Sequence, residues 1–275
     1  MKTPIRLSFM ILKGGSGKTT ISTNVAAVLA SAGYKVLVID GDPQGNATYT
    51  LANKEKKDPG MFDPAMGEFL LNKDIGARDV IVTNTIEPNI HLLPNNLRAA
   101  QAALSLEPLN TSGQVVRRLQ EVFPDYDYVI FDGRPEAAGL FTNIAMICSD
   151  YVIAPIDGTY GASNLSALLD LIEGAQSWNA ELELLGVVLN QWQPQRVQAK
   201  QLKEYLKREY PEVHIFNQAI QPSEQIRQAQ AMGRTVNIMA GQSVSQSFQK
   251  LAKEIIKKIE TKEKEKKKAA KAAGN

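Results

Sequence analysis

The feature that most constrains the fold is a glycine-rich run between an apolar segment and a helical pattern. The run consists of Lys13, Gly14, Gly15, Ser16, Gly17, Lys18, Thr19 and Thr20. Glycines allow successive backbone N–H groups to turn toward one anion. The N-terminus of the following helix adds its own N–H groups and the positive end of its dipole. The run therefore predicts a phosphate-binding loop between a strand and a helix.

Two side chains of this loop suit a bound nucleotide. Lys18 can reach the β- and γ-phosphates, and the Thr19 hydroxyl can bind Mg²⁺. We therefore predict that the loop binds ATP and Mg²⁺. Position 12 is leucine where the common form of the motif has glycine, and a second lysine, Lys13, precedes the glycines.

Apolar segments alternate with helical patterns along the chain. Strands are predicted at residues 7–12, 36–40, 90–93, 128–131, 151–154 and 184–189. Helical patterns between them include residues 21–32, 165–172 and 202–210. Strands that are apolar throughout and separated by helices are typical of a parallel sheet covered on both faces. We predict an α/β fold of the P-loop NTPase type, with a mainly parallel twisted sheet, as one domain over residues 1–260.

Aspartates follow two of these strands, at the edge where such sheets bind ligands. Asp40 and Asp42 lie at and just beyond the end of the second strand, and their carboxylates can serve Mg²⁺ or a water molecule. Asp132 ends the apolar run 128–131, which has the Walker B form. These three carboxylates are candidates for the chemistry of the site.

The loop with Lys13, the run 38–48 and the strand ending at Asp132 resemble the ParA/MinD family of dimeric P-loop ATPases, and its ParA partition branch in particular. The resemblance covers roughly residues 5–258. It implies that Lys13 crosses a dimer interface to the partner's nucleotide and that Asp42 positions the attacking water. Lys13, Lys18 and Asp42 are the implied catalytic residues.

The metal region is implied by the same resemblance. Thr19 would bind Mg²⁺ directly, Asp132 would hold it through water, and Asp40 would support the region. The likeness is weaker toward the C-terminus. There it implies that Asn190 contacts the adenine edge, and that Pro222 belongs to a base pocket that is displaced by one residue or rearranged.

One segment departs from the family pattern. After the Walker B aspartate the family continues with a small residue and two prolines, whereas this chain has Gly133-Arg134-Pro135-Glu136. Arg134 is either an unusual phosphate contact or an outward-pointing side chain paired with Glu136.

Composition narrows the choice within the family. The chain has one cysteine, Cys148, whereas Fe-protein-like reductases need two in each subunit for a shared cluster. An apolar stripe from Phe248 to Ile259 is either the last core helix or a membrane helix of the MinD kind. Beyond it only alanine supplies apolar surface, which is too little for membrane insertion. We therefore expect a cytoplasmic protein without membrane contact.

Charge is unevenly distributed. Residues 250–275 contain ten Lys and four Glu, which gives this segment a net charge of +6. The rest of the chain contains 21 Lys and Arg and 25 Asp and Glu, which gives it a net charge of −4. Residues 261–275 form a Lys-rich tail without bulky apolar residues, for which we expect disorder or a frayed helix. Basic tails of this kind often bind nucleic acid.

The resemblance implies a slow ATPase that forms a homodimer on ATP and binds nonspecific DNA on the nucleoid. A ParB-like centromere-binding protein or a cargo adaptor would stimulate hydrolysis. The implied cargo is a plasmid or chromosome region, and a protein assembly such as a microcompartment is the alternative cargo. A metabolic ATP-dependent enzyme is an alternative function. Candidate DNA contacts are Lys200, Lys203, Lys207, Arg208, Arg227, Arg234, Lys250, Lys253, Lys257 and Lys258.

Overall fold

The architecture is a parallel sheet between two layers of helices. The computed structural model describes residues 3–53, 58–106, 108–239 and 242–273. Within them, one sheet has the strand order β3-β2-β4-β1-β5-β6, and every neighbouring pair is parallel. Its strands are β1 (Ile5–Phe9), β2 (Val36–Asp40), β3 (Ile90–Leu93), β4 (Tyr128–Asp132), β5 (Tyr151–Ile156) and β6 (Glu183–Leu189).

The helices connect the strands and cover both faces of the sheet. They are α1 (Lys18–Ser31), α2 (Asn46–Leu51), α3 (Met66–Leu71), α4 (Ala77–Val80), α5 (Leu97–Leu104), α6 (Pro108–Gln120), α7 (Leu140–Cys148), α8 (Gly158–Ala175), α9 (Val197–Glu209), α10 (Glu224–Ala231), α11 (Val236–Met239) and α12 (Gln242–Ala273). Short 3-10 helices lie at Pro59–Met61 and Phe123–Asp125. The predicted α/β fold with a parallel sheet is confirmed.

Alternate residues of each strand enter two separate cores. In β2, Val36 and Val38 pack on the side of α1 and α12, whereas Leu37 and Ile39 pack on the side of α6, α7 and α8. A strand with both faces buried needs apolar residues at every position. This explains why the strands read as continuous apolar runs rather than as alternating patterns.

Each predicted strand exists in the structure. The largest difference between predicted and observed strand bounds is in β1. The apolar run predicted a strand over residues 7–12, whereas β1 spans Ile5–Phe9. The N–H of Met10 still donates to the carbonyl of Ile153 at 3.0 Å, and the chain then turns away from the sheet. Met10 and Ile11 are fully buried beside the α7 layer, so their apolar character reflects burial of the loop and not strand pairing.

The C-terminal stripe belongs to a core helix. Phe248, Leu251, Ile255 and Ile259 of α12 are at most 1% exposed and pack in the α1-side core. No helix in the described ranges combines the length and apolarity needed to cross a bilayer. The tail predicted as disordered or as a frayed helix continues α12 as far as Ala273. Two of its lysines, Lys262 and Lys266, form ion pairs with glutamates of the body.

The polar composition of segment 53–64 predicts a surface loop. Residues 54–57 of this segment lie outside the described residues. The remainder includes the 3-10 helix Pro59–Met61, and Phe62 is buried in a small satellite core with Ala52 and Ala65.

Candidate functional site

The phosphate loop joins β1 to α1 at the carboxyl edge of the sheet. Gly15 and Gly17 have φ of 74° and 93°, a region that only glycine adopts without strain. The first turn of α1 carries neither a side-chain cap nor an acidic residue. Its N–H groups are therefore available to an anion, as the sequence predicts.

The two loop lysines have different surroundings. Lys18 is 7% exposed, and its Nζ donates to the carbonyl oxygen of Lys13 at 2.8 Å. Burial lowers the pKa of Lys18, opposed by the nearby carboxylates of Asp132, Asp42 and Asp157. The Nζ of Lys13 instead donates to Asp157 Oδ1 at 2.6 Å, just beyond β5. Lys18 therefore lies in the loop, whereas Lys13 is held by an ion pair at its rim.

Asp132 connects β4 to the phosphate loop. Its Oδ2 accepts a hydrogen bond from Thr19 Oγ1 at 2.6 Å, and its Oδ1 accepts one from Ser22 Oγ at 2.9 Å. The carboxylate is fully buried, and this burial raises the pKa of Asp132. Thr19 and Asp132 are thus brought together, as predicted for a metal region.

Asp40 lies beside Asp132 in the sheet register but faces a different loop. Its Oδ2 accepts hydrogen bonds from the N–H and hydroxyl of Thr48, both at 2.7 Å, and its Oδ1 accepts one from the N–H of Asp42 at 3.1 Å. Burial and the nearby Asp132 raise the pKa of Asp40. Both carboxylate oxygens are therefore engaged in holding the loop 41–48, and a direct metal bond from Asp40 is not supported.

A cavity of about 920 Å³ opens over the phosphate loop. The predicted site residues that line it are Gly14, Gly15, Gly17, Lys18, Thr19, Thr20, Asp42, Asn190 and Pro222. Asp42 reaches this cavity while its Oδ1 accepts the N–H of Gln44 at 3.0 Å. Four predicted site residues lie outside the lining: Lys13, Ser16, Asp40 and Asp132. Ser16 is buried, and its hydroxyl donates to the carbonyl of Lys13 at 3.3 Å.

Asn190 lines the cavity and also contacts the phosphate loop. Its Nδ2 donates to the carbonyl of Ser16 at 2.8 Å, and a Cβ added at Gly17 would lie 2.0 Å from the same nitrogen. Asn190 therefore supports the phosphate loop from the position directly after β6, and its contact with an adenine edge stays a prediction. Pro222 lines the same cavity with Gln221, so the C-terminal residues predicted for a base pocket do converge on it.

Arg134 points away from this cavity. Its Nη2 donates to Glu136, its guanidinium lies 5.8 Å from the ring centroid of Phe141, and its Nε is buried without a partner among the described residues. Gly133 and Pro135 line the nucleotide-sized cavity, whereas Arg134 and Glu136 line a second one of about 340 Å³. The outward-pointing alternative is therefore the one that the geometry favours.

The oxygen ligands present suit Mg²⁺ bound together with phosphates. No group of three or more His, Cys, Asp or Glu side chains that could hold a metal occurs among the described residues. Mg²⁺ commonly takes one or two protein oxygens plus phosphate oxygens and water. Thr19 and Asp132 form a donor pair of that kind at the foot of the phosphate loop.

Three contact residues were not identified from sequence. Ser22 and Thr48 are hydroxyl residues within helices, and nothing in their spacing distinguishes them from other serines and threonines. Asp157 had a recognisable signal, because it directly follows β5 at the carboxyl edge of the sheet. Strand-end position is thus the signal that could have paired it with Lys13.

The fold and this loop define a P-loop nucleotide-binding protein. Residues 6–184 match a family described as an AAA domain. The sporulation initiation inhibitor protein Soj of Bacillus subtilis is 32% identical over 248 residues, which cover 88% of this chain and 94% of Soj. The chromosome-partitioning ATPase Soj of Thermus thermophilus is 28% identical over 262 residues, covering 93% and 96% of the two chains. The chain belongs to this AAA-domain family and, within it, to the ParA/MinD P-loop ATPases.

Solved structures share the fold. Cobyrinic acid a,c-diamide synthase from Mycobacterium smegmatis, solved with a bound ATP analogue and magnesium, superposes with a TM-score of 0.76 and 24% identity. The match covers 91% of this chain and 93% of the synthase. At this identity the likeness establishes the fold alone.

Proposed function

We propose that the protein is a ParA-type ATPase that binds ATP with Mg²⁺, dimerises on it, and positions a DNA cargo. The observation that carries the proposal is the double-lysine loop, in which the Lys18 side chain is buried within the loop and the Lys13 side chain is turned to Asp157 at the rim. Lys18 suffices for the phosphate contacts of a P-loop that acts alone. We propose that Lys13 serves the nucleotide of a facing subunit.

Different residues bind the phosphates, bind the metal and orient the attacking water. The loop N–H groups and Lys18 hold the β- and γ-phosphates, and Thr19 with Asp132 provides oxygens for Mg²⁺. When bound, ATP with Mg²⁺ supplies a transferable phosphoryl group whose charge the metal neutralises. Asp42 lines the cavity and orients the attacking water, while Asp40 holds the loop on which Asp42 sits.

Lys13 supplies positive charge across the dimer. Two nucleotides facing each other bring many negative charges together, and a lysine delivered in trans makes closure depend on ATP. Added charge near the transferring phosphate also favours the transition state. In the isolated chain this lysine is paired with Asp157, so closure requires that the pair open.

DNA is the proposed surface partner, and a ParB-like centromere-binding protein is the proposed stimulator of slow hydrolysis. The Thermus relative is a chromosome-partitioning ATPase, which favours a plasmid or chromosome cargo in the cytoplasm, on the nucleoid. Positioning of a protein assembly is the alternative. A metabolic activity, as in the synthase that shares the fold, would instead predict turnover with a small molecule and no effect of DNA.

Two variants test the nucleotide chemistry. Lys18→Ala should abolish ATP binding, measured by isothermal titration calorimetry, because the phosphates lose the lysine that reaches them. Asp42→Ala should retain ATP binding yet hydrolyse slowly, so that ATP and Mg²⁺ trap a dimer in sedimentation velocity. The exposed Lys73→Ala is a charge-matched control for Lys18→Ala. A monomer in every nucleotide state, for wild type and Asp42→Ala alike, would refute the sandwich dimer.

A further inference from the structure

Lysines are concentrated on the outward face of α12. Seven of them are exposed: Lys250, Lys253, Lys257, Lys264, Lys267, Lys268 and Lys271. With 3.6 residues in each turn, they fall within an arc of about 100° around the helix axis. The buried residues Phe248, Leu251, Ile255 and Ile259 lie on the opposite side. We refer to the seven lysines as the α12 lysine face.

Two of the four glutamates of α12 are turned toward the body and engaged there. Glu254 accepts hydrogen bonds from the N–H groups of Asn217 and Gln218 at 2.8 and 3.1 Å. Glu263 accepts one from the hydroxyl of Tyr151 at 2.8 Å. These two carboxylates are therefore used to dock the helix. The other two, Glu260 and Glu265, are exposed and offset only part of the positive charge.

The distal half of α12 is in contact with the body through two further lysines. Lys262 Nζ lies 2.6 Å from Glu183 Oε2, and Lys266 Nζ lies 3.2 Å from Glu183 and 3.3 Å from Glu181. Glu183 begins β6, so this contact lies at the opposite end of the sheet from the phosphate loop. The lysine-rich segment is thus a docked helix whose outward register is fixed by its inward contacts.

The lysines of the α12 lysine face lie close to one another along the helix. Its members recur at spacings of three and four residues, where like charges on a helix repel each other. No ion pair to any of the seven occurs among the described residues. An external polyanion would relieve this repulsion.

We propose that the α12 lysine face binds the phosphate backbone of duplex DNA, an inference that rests on the proposed function and assigns its DNA surface. From Lys250 to Lys271 the face is about 31 Å long at 1.5 Å per residue, close to the length of one duplex turn. Binding without sequence preference needs only phosphate contacts. A membrane is the poorer partner, because the face carries no bulky apolar residue to insert.

This placement separates the DNA surface from the nucleotide cavity. Because the distal contacts of α12 lie at the amino edge of the sheet, DNA can bind without entering the phosphate loop. ATP then acts by joining two chains, which doubles the number of lysine faces presented to a duplex. The basic segment contributes as an ordered part of the surface and not as a loose tail.

The test removes charge from α12 and, as a matched control, from exposed positions elsewhere. The first variant combines Lys257→Gln, Lys264→Gln and Lys268→Gln. The control combines Lys35→Gln, Lys73→Gln and Arg117→Gln, which removes the same charge from exposed positions that are not candidate DNA contacts. Glutamine retains helix propensity, and circular dichroism with ATP titration checks that each variant folds and binds nucleotide.

The readout is affinity for a 60-base-pair duplex of random sequence across a salt series with a non-hydrolysable ATP analogue. Each phosphate contact contributes roughly 0.9 to the slope of log affinity against log salt. The α12 variant should lose roughly 2.7 from that slope for each chain that touches the duplex, and about tenfold or more in affinity at low salt. The control variant should stay within about twofold of wild type, as expected for cations that lie outside the proposed DNA surface.

The outcomes separate the two proposals. If wild type binds duplex and the α12 variant binds equally well, the surface assignment fails while the proposed function stands. The same holds if the control variant loses as much affinity as the α12 variant. If wild type binds no duplex in any nucleotide state, the proposed function fails and the surface assignment fails with it. Wild-type binding to vesicles of anionic phospholipid but not to DNA would overturn the inference in favour of a membrane partner.

Discussion

The ion pair between Lys13 and Asp157 should oppose dimer closure, and Asp157→Asn should therefore tighten the ATP-dependent dimer. The two side chains are 28% and 21% exposed and their charged atoms are 2.6 Å apart. A partly exposed pair of this kind contributes about 1 kcal/mol, the upper part of the range for surface pairs. Closure of a symmetric dimer breaks two such pairs. Asp157→Asn therefore lowers the free-energy cost of closure by about 2 kcal/mol. At 1.4 kcal/mol per tenfold change, the dimer Kd should fall by about 30-fold.

Sedimentation velocity with a non-hydrolysable ATP analogue and Mg²⁺ measures this Kd directly. Asp125→Asn is the matched control, because it removes an ion pair with Arg78 that is exposed and far from the phosphate loop. The control should leave the dimer Kd unchanged. If Asp157→Asn dimerises no more tightly than wild type, or more weakly, Asp157 orients Lys13 for closure and the reasoning is refuted.

Three further predictions concern the site itself. Arg134→Ala should leave ATP turnover within about twofold of wild type, since the guanidinium lies in the second cavity; a loss of tenfold or more in steady-state assays would place it at the phosphates. The free energy of unfolding of the nucleotide-free protein should fall as pH rises from about 4 toward neutrality, because burial raises the pKa of Asp40 and Asp132 and the folded state then binds more protons than the unfolded state. Urea titrations check this slope, and Asp132→Asn should flatten it. Gly17→Ala should abolish ATP binding in calorimetry, because the added Cβ would lie 2.0 Å from Asn190 Nδ2; retained affinity would show that the loop can shift.

Local sequence was sufficient for the parts of the site that are continuous in the chain. The loop from Lys13 to Thr20 works through its own backbone N–H groups and through the start of one helix, so eight consecutive residues carry most of its geometry. The strand ending at Asp132 could also be predicted from the sequence, since a parallel strand buried on both faces must be apolar throughout. Thr19 and Asp132 could be expected to meet because both stand at the carboxyl edge of neighbouring strands.

The direction of individual side chains was decided by partners far along the chain. Lys13 turns to Asp157, 144 residues away, and Asn190 turns to Ser16, 174 residues away. Sequence periodicity does not predict such pairings, because they depend on how two loops at the carboxyl edge of the sheet approach each other in the folded protein.

Composition alone did not decide the conformation of the basic C-terminal segment, since its lysines are compatible with both a disordered tail and a helix. In the structure this segment continues α12, and Lys262 and Lys266 form ion pairs with Glu183 at the start of β6 and with Glu181 just before it. The sequence by itself determined the parallel α/β fold and the phosphate loop, because backbone periodicity and glycine conformation act over a few residues. Only the tertiary structure decided which charges are paired and which face outward, because ion pairing depends on distances between atoms that the chain brings together only when it folds.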